Sequence, residues 1–405
     1  MVRHRLVHIA LLYFTLTALS GVWLRLYVFS DTVQVTDYNY LLHGHSHIAV
    51  LGWTFFAAFA LISVLLGKET KKVVTYLTIL LLFVTIPMFI AFLMQGYALY
   101  SIIFSTLHIF VQYMVAYFIV RIVRKNREIP PSSRSFIYGS IVMLIISSIG
   151  PFSLGAIASQ GLRDEPIFEM AVYFYLHFQY NGWLTLLLIG TFLFILKRNK
   201  IDYSEKLMKY SFVVYSIALF PSYFLSVLWY DFGFVGILCA VLGALGQLLG
   251  VILFIVAMLN VKDVLKQKFS PFIRFNLYFV LFLLITKSMM ELGLLYLPLG
   301  ELVYETRSVV IGYLHLTLLG FISIFFITQF LLTNLLDENS NLLKLGSAIF
   351  LIGFILNELV LFISALYTWL QIGSLPLSQS LLLIASLLLL IGILFTWFSV
   401  KDVAK

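Results

Sequence analysis

Charge is what this sequence has least of. Only 11% of its 405 residues are Asp, Glu, Lys or Arg, and 62% are hydrophobic. A soluble domain carries about 25% charge. A chain so poor in charge cannot cover its surface with groups that water solvates, so lipid must do so. Cysteine is nearly absent too: Cys239 stands alone, which excludes a disulfide framework. Long polar stretches are also lacking. That leaves no soluble basic domain to hold nucleic acid, despite the net charge of +8. No small-residue cleavage site follows the first apolar run, so that run is expected to stay as a helix rather than be removed as a signal.

What is present is a succession of apolar runs of about 20 residues, the length that crosses a bilayer. They predict twelve spans near 6–29, 46–67, 73–95, 98–120, 136–160, 168–196, 208–230, 233–259, 272–297, 306–333, 345–370 and 378–399. The expected fold is all-α, a polytopic membrane bundle forming one transmembrane domain over 1–405. Basic residues collect in alternate gaps. Lys68, Lys71 and Lys72 follow the second span, Arg121 to Arg134 the fourth, Lys197 to Lys209 the sixth and Lys262 to Arg274 the eighth. Lys344 follows the tenth, and Lys401 and Lys405 close the chain on the side of Arg3 and Arg5. The opposite gaps hold only Arg163 and Arg307. Cytoplasmic loops are the basic ones, so both termini are expected in the cytoplasm of a cell whose plasma membrane the chain spans.

Eight histidines occur. His4 and His8 lie at the cytoplasmic start and read as interfacial residues. His43, His45, His47, His108, His177 and His315 fall at or in the second, fourth, sixth and tenth spans. All four of those spans run inward from the outer face, and each histidine lies in their outer half. Ionisable side chains at membrane depth are costly and usually functional. Six at one depth point to one or two metal centres. For a single histidine, a hydrogen-bonding role in the core is the competing reading, and it is favoured for His108.

The surroundings repeat. His47 precedes Gly52-Trp53, His177 precedes Gly182-Trp183, and His315 precedes Gly320-Phe321, always with four residues between histidine and glycine. The intervals are about a third of the chain, or four helices. Internal repeats of this kind imply a pseudo-threefold arrangement of four-helix arcs, each presenting a histidine at one height. Glycine at that position permits close helix approach. Lys287 and Glu291, four apart, can pair. Glu358 has no partner in sequence and is the candidate proton relay. Arg25 and Arg307 lie toward the outer face, where a guanidinium can clasp a carboxylate.

On these residues the chain resembles the catalytic subunit of haem-copper oxidases, most closely the C-type cytochrome oxidases and nitric-oxide reductases. Gly21-Val-Trp-Leu-Arg25 looks like that family's first-helix pattern. The run His43-Gly44-His45-Ser46-His47 sits where the family places a low-spin haem ligand, and His315 matches the other. His177 matches the sixth-helix metal ligand. Tyr313 stands where the family has its high-spin haem ligand, and the seventh span has no histidine where the family has a pair. The resemblance implies a divergent member with a bis-histidine, non-covalent low-spin haem and the copper site lost.

The expected ligands are therefore His315 with either His45 or His47. His47 fits the internal repeat, and His45 fits the family's spacing to glycine. Arg25 and Arg307 would serve the haem carboxylates. His43 reads as a loop or interface residue or a metal ligand. A second haem or metal would draw on His177 and His108 with Tyr313 or Tyr173. Electrons would come from a quinol or a separate carrier protein, since no Cys-x-x-Cys-His attachment site and no carrier domain is present. The competing classes are a twelve-helix secondary transporter, marked by breaks at Gly150-Pro151 and Phe220-Pro221, and a non-catalytic haem-based gas sensor or assembly partner. The charge pattern predicts that alkaline phosphatase fused in the loop at Arg163 is active, whereas the same enzyme fused after Lys405 is inactive; activity at the C-terminus would reverse the assigned orientation.

Overall fold

The computed structural model describes residues 2–65 and 70–400; Lys68, Lys401 and Lys405, used above to orient the chain, lie outside them. Among the described residues twelve helices are long and apolar enough to cross a membrane: α1 His4–Leu26, α2 Tyr38–Val64, α3 Lys71–Gln95, α4 Leu99–Lys125, α5 Pro131–Ser159 and α6 Pro166–Arg198. They continue as α7 Glu205–Val227, α8 Gly233–Leu259, α9 Pro271–Gly293, α10 Arg307–Leu332, α11 Asn341–Trp369 and α12 Ser378–Phe398. All twelve expected spans are present.

Local chemistry sets their starts. The side chains of Asp37, Ser204, Ser270 and Ser340 accept from the first free backbone N–H groups of α2, α7, α9 and α11, donors a helix cannot satisfy by itself. Asp37 moves the start of α2 from the expected position 46 back to Tyr38, so His43, His45 and His47 all lie inside the helix. Pro131, Pro166 and Pro271 occupy first-turn positions, where the missing N–H is no loss.

The chain divides into two compact units, Met1–Ile122 with Gln329–Lys405, and Val123–Thr328. In the first, α1 packs on α12 and on the C-terminal half of α2. Phe14 of α1 stacks on Trp53 of α2 at 4.2 Å and meets Phe350 of α11 edge-on. Trp397 Nε1 of α12 donates to His8 Nδ1 of α1 at 3.0 Å, so His8 is a structural residue.

In the second unit, α5 packs on α6 and α7 on α8. Both breaks expected from proline are present. α5 is interrupted at Ser148, before Pro151, and α7 tightens into a 3₁₀ turn over Tyr223–Val227, just after Pro221. The α7–α8 contact depends on small residues. A Cβ at Gly243 would lie 2.2 Å from the Ser222 backbone nitrogen, a clash that only backbone movement relieves. Gly243→Ala is therefore expected to destabilise the protein by about 3 kcal/mol, the upper end of overpacking costs, and thermal unfolding of the detergent-solubilised chain followed by circular dichroism measures it.

Candidate functional site

The three histidine repeats share one backbone irregularity. Immediately after His47, His177 and His315 the helix widens into a seven-residue π-helical stretch: Ile48–Thr54, Phe178–Leu184 and Leu316–Ile322. Such stretches are rare and concentrate at functional sites. Each is held the same way. Thr54, Thr185 and Ser323 donate their hydroxyls to the carbonyls of Val50, Tyr180 and Leu318, at 2.7, 2.7 and 2.6 Å. Each of these carbonyls lies three residues past its histidine, so the hydroxyl clips the widened turn at the equivalent point. Gly52 approaches the Tyr13 ring and Gly182 approaches Met143, closer than a side chain would permit. The helices concerned are the most enclosed ones: 83% of the apolar window of α2, all of that of α6 and 56% of that of α10 are buried, against 44% or less elsewhere.

In the first unit, the three histidines of α2 are in different states. His45 Nδ1 lies 3.0 Å from both the Thr17 carbonyl and the Ser20 hydroxyl of α1. A carbonyl only accepts, so Nδ1 carries the proton and Nε2 keeps its lone pair. Nε2 has no hydrogen bond among the described residues. A Cβ at Gly21 would stand 3.3 Å from His45 Cε1, so this glycine makes room for the ring. Arg25, half-buried, stands four residues after Gly21 in the last turn of α1. His47 is fully engaged: Nδ1 donates to its own helix at the His43 carbonyl, 2.9 Å, and Nε2 accepts from Tyr97 OH at 3.1 Å. It also stacks on Phe92 at 4.0 Å. His43 meets the Tyr97 ring edge-on at 4.6 Å. His108, buried in α4, accepts at Nδ1 from Gln112. Its buried Nε2 has no hydrogen-bond partner among the described residues.

In the second unit, His177 has both nitrogens occupied. Nε2 donates to the Leu219 carbonyl at 2.9 Å, and Nδ1 accepts from Asn181 at 3.2 Å. The 3₁₀ turn after Pro221 accounts for that carbonyl. Tyr223 N–H bonds to Phe220 and Pro221 instead of reaching back to Leu219, and the imidazole takes the vacated acceptor. Asn181 is itself fixed by Tyr215, whose OH donates to its carbonyl at 3.1 Å. His315 ends the straight part of α10 and is half-buried; Arg307 opens that helix and is exposed. Tyr173 is half-buried on α6.

Tyr313 belongs to a buried ionic cluster. Its OH donates to Glu291 Oε1 at 2.5 Å, and Lys287 Nζ donates to the same oxygen at 2.7 Å. Lys287 also faces the Tyr313 ring at 5.9 Å, and Tyr180 meets that ring edge-on. The pairing expected from the spacing of Lys287 and Glu291 is thus present, with side chains only 1% and 6% exposed. Glu291 Oε2 has no hydrogen-bond partner among the described residues.

Two features escaped sequence reading. Ser20 and Thr17, which orient His45, look like ordinary helix residues. Tyr97 lies in a turn with no motif around it. His45 and His315 fall in different units, as do His108 and His177. Among the described residues no three His, Cys, Asp or Glu side chains group to hold a metal ion. No protein-family model matches the chain, and no curated protein matches it.

The cluster yields a stability prediction. Removing one member of a buried pair strands the other charge, at a cost of roughly 3–5 kcal/mol. Lys287→Met should therefore lower the thermal midpoint far more than Lys287→Met with Glu291→Leu, which removes both charges; equal losses would mean that the pair is not buried in the protein.

Proposed function

We propose that the chain is a membrane haem protein of the haem-copper oxidase type, binding one low-spin haem and working in respiratory electron transfer or the handling of O2 or NO. The observation that carries this reading is the state of His45. An imidazole that donates Nδ1–H to a main-chain carbonyl has its tautomer and ring orientation set, and presents Nε2 as a ligand. That is the arrangement metal-binding histidines use. His47 lacks it, because Tyr97 occupies its Nε2. His45 is therefore the proposed haem ligand of the first unit; on the resemblance alone, His315 is the proposed second ligand, and Arg25 and Arg307 the proposed partners of the haem carboxylates. A haem held by two histidines would supply electron transfer rather than dioxygen activation. The three π-helical stretches support the pseudo-threefold arrangement, and the basic gaps support cytoplasmic termini in a plasma membrane.

The residues present do not fit a copper centre of the family's kind, since both nitrogens of His177 are hydrogen-bonded and no three ligands group among the described residues. A quinol or a separate electron-carrier protein is the proposed donor. The breaks in α5 and α7 favour a second reading, a secondary transporter.

A reduced-minus-oxidised spectrum with a haem count per chain separates the two. Low-spin bands are expected in the wild type, in His47→Ala and in His177→Ala, and are lost in His45→Ala and His315→Ala. Ser20→Ala should weaken haem retention about tenfold, the lower end of outer-shell effects. A colourless, iron-free protein from haem-replete cells would reject the haem assignment and leave the transporter. Reduction of the haem by a quinol or a carrier protein is expected; a haem-loaded protein that accepts electrons from neither would point to a sensor or an assembly partner.

A further inference from the structure

The carboxyl group of Glu358 sits deep in the membrane. α11 runs from Asn341 to Trp369, and Glu358 is seventeen residues from the first and eleven from the last, roughly 26 and 17 Å at ~1.5 Å per residue. A hydrocarbon core about 30 Å thick, centred on this helix, encloses it. Its one hydrogen bond among the described residues comes from Asn357 Nδ2, on Oε1 at 3.0 Å, and no described cation pairs with it. The side chain lies at the border of two faces. Asn357, Leu361 and Ala365 on one side are buried. Ile355, Leu359 and Phe362 on the other are 46, 51 and 59% exposed. A carboxyl there is costly unless something meets it.

We propose that this face of α11 is the docking surface for a transmembrane helix of another polypeptide, one that carries a lysine or arginine near the bilayer midplane. Charge complementarity selects the occupant. A second copy of this chain would bring its own Glu358 to that depth, and the deep cation Lys287 is already committed to Glu291. The apolar residues beside Glu358 supply the packing surface, and the ion pair sets depth and orientation. A partner with an uncharged helix would leave the carboxyl as it stands.

The test uses the full chain in liposomes with a fluorescent protein fused to its C-terminus. The probe is an acceptor-labelled 21-residue leucine–alanine helix (~30 Å at ~1.5 Å per residue) with one central lysine, and its control has leucine at that place. Energy transfer is expected to report about tenfold tighter binding of the lysine peptide, equivalent to ~1.4 kcal/mol. Glu358→Asp keeps this preference and Glu358→Gln abolishes it. Equal binding of the two peptides by the wild type overturns the proposal, even if the glutamine variant fails to fold. So does a preference that survives in Glu358→Gln. Self-association of the chain that disappears in Glu358→Gln overturns it in favour of a second copy.

Discussion

A backbone group in the hydrocarbon core finds no water to bond, and this constraint governs the irregular turns of α2, α6, α7 and α10. Each departure from the α-helix redirects a carbonyl, and a side chain answers it. The π-helical stretches of α2, α6 and α10 are clipped by Thr54, Thr185 and Ser323. The 3₁₀ turn of α7 vacates the Leu219 carbonyl, which His177 and Ser222 share. The histidines are part of the same accounting. A carbonyl carries two lone pairs and no proton, so the one that meets an imidazole decides which ring nitrogen holds hydrogen.

His45 and His47 both hold the proton on Nδ1, and the partner of Nε2 is what separates them. His45 and His47 are two positions apart, yet one is anchored through Nδ1 to α1 and the other closes on Tyr97 through Nε2. His177 occupies the place in its repeat that His47 has in the first, and it too is saturated. The repeat therefore preserves the backbone widening at three places without preserving one role for the histidine.

Burial governs the charges in the same manner. Lys287 and Glu291 lie one turn apart on α9, and Tyr313 adds a third group from α10, so the carboxylate has two donors on one oxygen. Among the described residues Glu358 has only its neighbour Asn357. Two carboxyl groups at membrane depth thus differ in how completely the chain itself satisfies them, and only the second leaves a reason for another polypeptide to supply a donor.

Much of the layout was legible in the residue order. Twelve spans, the three histidine–glycine repeats and the Lys287–Glu291 pair follow from hydrophobicity and spacing, which are local properties and add up along the chain. The start of α2 was misplaced because apolar content marks where lipid begins, whereas Asp37 marks where the helix begins. The hydroxyl clips could have been found, since Thr54, Thr185 and Ser323 stand one or two places after each Gly-aromatic pair. Only the tertiary structure decided which histidine nitrogen stays unbonded. Thr17 lies 28 residues from His45, Tyr97 lies 50 from His47 and Leu219 lies 42 from His177. The His43 carbonyl of the same helix already holds the proton of His47 on Nδ1, but whether the other nitrogen stays open depends on a partner that folding brings from another segment, and no pattern within one helix contains that partner.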